Sequence, residues 1–275
     1  MSRYASMFAA CRAENRIAFG GFLMLGHPSP SATAELLDAL VEGGADMVEL
    51  GIPFSDPVAD GPVIARAGKQ ALDAGVTPDD CLAMIADFRA RHPDVPVGIL
   101  TYANIVMARG RATFARELAD AGADSLLVAD VPSIEAEPWA GDMIAAGIDP
   151  VLIAAPNTPD SALQRIASLG RGYTYCVARS GVTGSGEAPR LAHEQLFAGL
   201  ERHSAPPPVL GFGISTADHV GAAAEAGAAG VIVGSALVQL APLEDGPARV
   251  RDYCRALTQP NGSQPRAAPS GAVMM

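Results

Sequence analysis

Two acids stand where a chain of this composition has little reason to keep them. Glu49 interrupts the apolar run Met47-Val-Glu-Leu-Gly-Ile52, and Asp60 follows on a loop rich in Gly, Pro, Ser and Asp. Period-two alternation along a strand puts Met47, Glu49 and Gly51 on one face and Val48, Leu50 and Ile52 on the other. A strand covered on both faces then points Glu49 inward near its C-terminal end, where an unpaired carboxylate is costly. Pro53, Pro57 and Pro62 stiffen the following loop and carry Asp56 and Asp60 back over that strand end. Two converging carboxyls, held apart in pKa by burial and repulsion, supply a proton donor and a proton acceptor near neutral pH. The plainer alternative pairs Glu49 with a buried Arg and uses the aspartates only to cap turns and the helix beginning near Pro62.

The elements that position these acids follow a loose repeat, EGGADMVEL, DAGADSLLV, AAGIDPVLI and EAGAAGVIV. Each reads as a helix stopped by a left-handed glycine (Gly44, Gly122, Gly147, Gly227) and a short buried strand. Further strands are expected at Ala18–Leu25, Val97–Tyr102, Tyr173–Val177 and Val209–Phe212. Eight strands separated by helices of ~10 to 15 residues demand a parallel sheet and favour its closure into a (β/α)8 TIM barrel. The 275 residues suit one such barrel of ~250 residues. We therefore expect a single barrel with an N-terminal helix over residues 1–257. Residues 258–275, rich in Pro, Gly, Ser and Gln without periodicity, read as a disordered tail.

In such barrels the active site lies at the C-terminal ends of the strands. Gly211-Phe-Gly213-Ile-Ser215 follows the seventh strand, and Gly234-Ser235 follows the eighth and opens a short helix, Ala236 to Leu240. Backbone N–H groups there can grip an anion without Lys or Arg, so a phosphate site is expected after strands seven and eight. The glycine-rich stretch Arg179 to Glu187 after strand six reads as a lid that adds Gly184 to the anion site; the alternative is a plain solvent loop.

Other chemistry fits poorly. Lys69 is the sole lysine and falls in a helix rather than on a strand end, which argues against a Schiff-base aldolase. His27, His92, His193, His203 and His219 lack metal-ligand spacing, so no metal is expected. They read as surface or capping residues, with His27 able to reach the rim. Cys11, Cys81, Cys176 and Cys254 are scattered and read as reduced, mostly buried thiols. A formal charge of −11 without a basic cluster argues against nucleic acid or an anionic membrane surface. The N-terminal residues lack a signal-peptide core, and no apolar run approaches the ~20 residues needed to span a bilayer, so a cytoplasmic protein is expected.

ELGIPFSDPVADGPVI, GRGYTYCVARSGVTG, APPPVLGFGIS and AGAAGVIVGSA together resemble the alpha subunit of tryptophan synthase, from about Arg3 to about Leu257. The resemblance implies a (β/α)8 barrel that cleaves indole-3-glycerol phosphate by a retro-aldol reaction into indole and glyceraldehyde 3-phosphate, with no cofactor in this chain. It implies that Glu49 protonates the indole C3 and helps remove the glycerol hydroxyl proton, while Asp60 steadies positive charge at the indole nitrogen. Phe22, Leu100, Tyr175 and Phe212 would line the indole pocket. Leu127, Ala129, Ile153 and Ile232 match further wall positions, for which plain core packing is the simpler account. Gly184, Gly213, Gly234 and Ser235 would hold the phosphate, and Thr183 would contact Asp60 on closure. The resemblance also implies a pyridoxal-phosphate beta subunit as partner in an alpha2beta2 tetramer, with Asp56, Pro57, Asn104, Pro132 and Arg179 facing it or relaying between sites. The chain departs from the common family pattern at Met24, His27, Val63 and Ala65. Alternatives are a free-standing indole-producing lyase, a non-catalytic activator of a beta partner, or a sugar-phosphate isomerase.

Overall fold

The computed structural model describes residues 2–177, 190–211 and 213–258. The described chain alternates helices with nine short strands: β1 (Ala18–Met24), β2 (Met47–Gly51), β3 (Val97–Thr101), β4 (Ser125–Val128), β5 (Asp149–Pro150), β6 (Leu152–Ala154), β7 (Thr174–Cys176), β8 (Pro208–Leu210) and β9 (Gly230–Val233). All pair in parallel, in the order β5-β4-β3-β2-β1-β9-β8-β7-β6. The two ends of that order are separated in sequence only by Val151, so the chain itself closes the ring into a (β/α)8 barrel.

The expected fifth strand is thus two pieces. Pro150 has no N–H to donate. The Val151 N–H still reaches the Leu126 carbonyl at 3.0 Å, while the Pro150 carbonyl already accepts from Arg171 at 2.9 Å. The chain therefore crosses from β4 to β7 within a few residues. Strand ends also fall short of expectation: Tyr102 is the N-cap of the helix Ala103–Arg109, and β7 and β8 stop at Cys176 and Leu210.

Local chemistry explains the helix boundaries. Gly44, Gly122, Gly147 and Gly227 all hold φ between 82° and 97°, the left-handed conformation that ends a helix. Thr77 and Asp80 form a reciprocal capping box on the helix Pro78–Arg91. The N-terminal helix Arg3–Ala13 closes the barrel floor, where the Tyr4 hydroxyl lies 2.8 Å from Ser125 Oγ and Arg3 pairs with Asp124. Glycine at position 98 makes room there, because a Cβ would stand 3.0 Å from the Tyr4 hydroxyl and 3.1 Å from Ser125 Oγ. All four cysteines are free and buried. Among the described residues no helix is long and apolar enough to cross a membrane. Thr258, expected to begin the tail, is the last residue of the helix Gly246–Thr258, and residues 259–275 lie outside the described residues.

Candidate active site

Glu49 sits in the middle of β2, paired in register with Phe22 of β1 and Gly98 of β3, and is 2% exposed. Among the described residues it forms no ion pair with an Arg. Its Oε1 accepts a 2.8 Å hydrogen bond from the Tyr173 hydroxyl, and Oε2 is buried without a partner. Burial pushes the carboxyl up from 4.5 to about 7, against the pull of the Tyr173 hydroxyl in the opposite direction. Both protonation states are then accessible near neutral pH, as proton transfer in two directions requires.

Asp60 does not cap the helix that follows it. The N-cap of Pro62–Asp73 is Gly61, with no side-chain cap bond. The buried Tyr102 hydroxyl, which accepts from the Ala59 N–H at 3.2 Å, instead acts on the Asp60 carboxyl and pulls its pKa down. The Tyr102 ring is stacked on Phe54 with centroids 5.1 Å apart, fixing the hydroxyl under the loop. Burial raises Asp60 from 3.8 to about 6, with the Tyr102 hydroxyl opposing it. Both carboxyls therefore move upward, with Glu49, the more buried of the two, pushed further.

Tyr175 ties the two acids together. Its inward hydroxyl feels the charge of both Glu49 and Asp60, and after burial these raise its pKa well above the ordinary value. The hydroxyl donates to the Gly211 carbonyl at 3.1 Å, and any Cβ at Gly211 would fall 2.1 Å from the ring. Phe22 spans the next sector, with its ring against Gly51 and its base 3.5 Å from where a Cβ on Gly234 would stand. Leu100 is half-buried beside Leu127 in the β3–β4 register. On the opposite rim Gly213 is exposed with φ 78°, a conformation that favours glycine, and Gly234 is the N-cap of the short helix Ser235–Leu240. Ser235 is exposed. Arg179, Thr183, Gly184, Phe212 and the rest of the expected lid lie outside the described residues.

Asp56, Asn104 and Pro132 are exposed, and Pro57 is half-buried, on segments that follow β2, β3 and β4. His27 and His193 are buried rather than superficial, a correction to their reading from local polarity. Met24 is buried against Gly51 and Gly68, where it fills the space between β2 and the helix after Asp60. Sequence reasoning missed Tyr173 and Tyr102 as partners of the two acids. Both sit at strand boundaries, and a search for hydroxyl donors at those boundaries would have found them.

A nearly closed parallel barrel with an inward acid at one strand and a second acid on the loop beyond it defines an enzyme of the (β/α)8 class. Comparison with known proteins narrows this further. A family profile described as "Tryptophan synthase alpha chain" matches residues 8–261. The tryptophan synthase alpha chain of Shewanella amazonensis is 48% identical over 239 residues, covering 87% of this chain and 90% of that one. The protein of the same name from Klebsiella pneumoniae subsp. pneumoniae is 45% identical over 260 residues, covering 94% and 97%. Among solved structures, a tryptophan synthase from M. tuberculosis in its aminoacrylate-bound form superposes with a TM-score of 0.83 at 34% identity, covering 94% of this chain and 98% of the other. The tryptophan synthase subunit alpha of Legionella pneumophila gives a TM-score of 0.82 at 30% identity over 94% and 97%. The chain belongs to the tryptophan synthase alpha chain family. It is a lyase of tryptophan biosynthesis that cleaves indole-3-glycerol phosphate to indole and glyceraldehyde 3-phosphate.

Proposed function

We propose that Glu49 is the acid–base group of this cleavage and Asp60 its electrostatic partner. Protonated Glu49 delivers its proton to the indole C3, and the ring becomes cationic at nitrogen. Ionised Asp60, oriented by Tyr102, stabilises that cation. The Glu49 carboxylate then takes the proton of the adjacent glycerol hydroxyl. The carbon–carbon bond breaks, its electrons restore the indole, and the hydroxyl carbon leaves as the aldehyde of glyceraldehyde 3-phosphate. Glu49 ends protonated, as it began.

Phe22, Leu100 and Tyr175 form apolar walls for the ring, joined by Phe212. Backbone N–H groups at Gly213 and Gly234, with Ser235, hold the phosphate; Gly184 and Thr183, outside the described residues, are assigned to substrate binding by family resemblance. The observation that carries this reading is the buried Glu49 carboxyl, held on one oxygen by Tyr173 and free on the other. Glu49→Gln should keep substrate binding, measured by calorimetry, while turnover falls at least ~100-fold. A variant releasing indole near the wild-type rate would refute the assignment.

This chain uses no cofactor on this reading. It works in the cytoplasm with a pyridoxal-phosphate beta subunit as an alpha2beta2 tetramer. Val58, Met107 and Ile134 are exposed at 82%, 53% and 68% on the same rim as Asp56, Pro57, Asn104 and Pro132, which supports a docking face there. Arg179 is assigned to the same relay by family resemblance. Co-sedimentation with a beta subunit, weakened by Ile134→Asp, tests the partnership.

A further inference from the structure

The barrel wall is incomplete on one side. β5 pairs with β4 only at Ser125–Asp149 and Leu126–Pro150, and β6 pairs with β7. Beyond the Val151 N–H bond to Leu126, no ladder joins β4 to β6 among the described residues. A cavity of about 500 Å³ opens along this seam, within the ~300–1,000 Å³ range of small-molecule pockets.

Its lining comes from both sides of the wall. Ile153 stands opposite Tyr175 in the β6–β7 register and shares its inward face. Ala129 lies two residues beyond Leu127, the inward neighbour of Leu100, and so faces the same way. Trp139, Ala140 and Met143 of the helix Glu137–Ala145 form the outer wall. The lining is mostly apolar, and the Asp130 carboxylate at its edge is already engaged by the Ala103 N–H at 2.8 Å.

The ring order places this seam well across the barrel from the β8–β9 rim, five strands away in one direction and three in the other. A substrate gripped by its phosphate at that rim, with its ring nitrogen toward Asp60 beyond β2, directs the benzo edge of the indole at the seam. We propose that the cavity is a side pocket of the substrate site that admits substituents on that benzo edge, and that Ala140 and Trp139 set how large a substituent enters. The proposal rests on the reading of the reaction given above.

The test compares kcat/KM for unsubstituted indole-3-glycerol phosphate and for analogues carrying a trifluoromethyl group at each benzo position. The wild type should cleave at least one analogue within about tenfold of the parent compound, since an apolar pocket that fits a group discriminates weakly against it. Ala140→Leu should cost that analogue a further factor of about ten while leaving the parent rate and the melting temperature in place. Leu152→Phe fills the cavity from the facing wall and decides the matter if Ala140→Leu does not fold. Trp139→Ala should raise the ratio of analogue to parent kcat/KM, the opposite of Ala140→Leu. Rejection of every analogue by the wild type, or an unchanged analogue-to-parent ratio in the filled variants, overturns the side pocket. Failure to cleave the parent compound overturns the reaction reading instead, and the side pocket with it.

Discussion

Replacing Glu49 with Gln should stabilise the protein progressively as pH rises, although it removes the group on which turnover depends. In the unfolded chain the carboxyl titrates at its ordinary 4.5, whereas burial in the barrel carries it to about 7. Below pH 4.5 both states hold the proton and the site imposes no penalty. Between 4.5 and 7 the unfolded chain releases its proton and the folded chain does not, so stability falls as pH rises, and the loss is complete above 7. The full gap corresponds to about 3 kcal/mol, a sizeable part of the ~5–15 kcal/mol that holds a typical domain together. Gln retains an oxygen for the Tyr173 hydroxyl and carries no charge, so its own contribution is flat with pH. Asp60 and His27 titrate in both proteins and cancel in the comparison. Urea unfolding of variant and wild type at about pH 5 and pH 8.5 should therefore show the variant gaining roughly 2 to 3 kcal/mol between the two conditions at unchanged m. A stability difference that stays constant across that range would refute the buried, raised carboxyl.

Tyr173→Phe removes the donor that holds Glu49 down, so the limb of the pH–rate profile that reports Glu49 should move to higher pH, with the fold intact by circular dichroism. Tyr102→Phe removes the hydroxyl that lowers the Asp60 pKa; kcat/KM should fall about tenfold, and an unchanged value would remove Tyr102 from the site. His27 is buried, and burial lowers its pKa below the ordinary 6.5 against the raising effects of the Val238 main chain and Gln70. The stability of its neutral form is present above 6.5 and lost as pH falls beneath it, so His27→Gln should flatten the acid-side decline in melting temperature.

Glu49 was legible because a carboxylate inside an apolar run has few ordinary explanations, and the glycine caps were legible because a left-handed residue must follow each helix whatever surrounds it. Barrel closure followed from the count of βα units. The break in the fifth strand was written in Pro150, but its consequence depends on Arg171 taking the Pro150 carbonyl, which is a tertiary fact. The same holds for what tunes the two acids. Tyr173 reaches Glu49 across 124 residues of chain, and that meeting exists only once the ring has closed in one register. Tyr102 looks like the last residue of an apolar strand, yet it leaves the strand to cap a helix and turns its hydroxyl under the Asp60 loop. His27 and His193 were misread for a related reason: a polar side chain in a short loop or helix shows its neighbours in sequence and not the helices folded over it. The residues that perform proton transfer can thus be found from their local cost, whereas those that set its pH come from strand pairing. The site's pH behaviour is therefore the sharper test of the fold, since a shift of one register would leave Glu49 in its strand but turn it away from Tyr173.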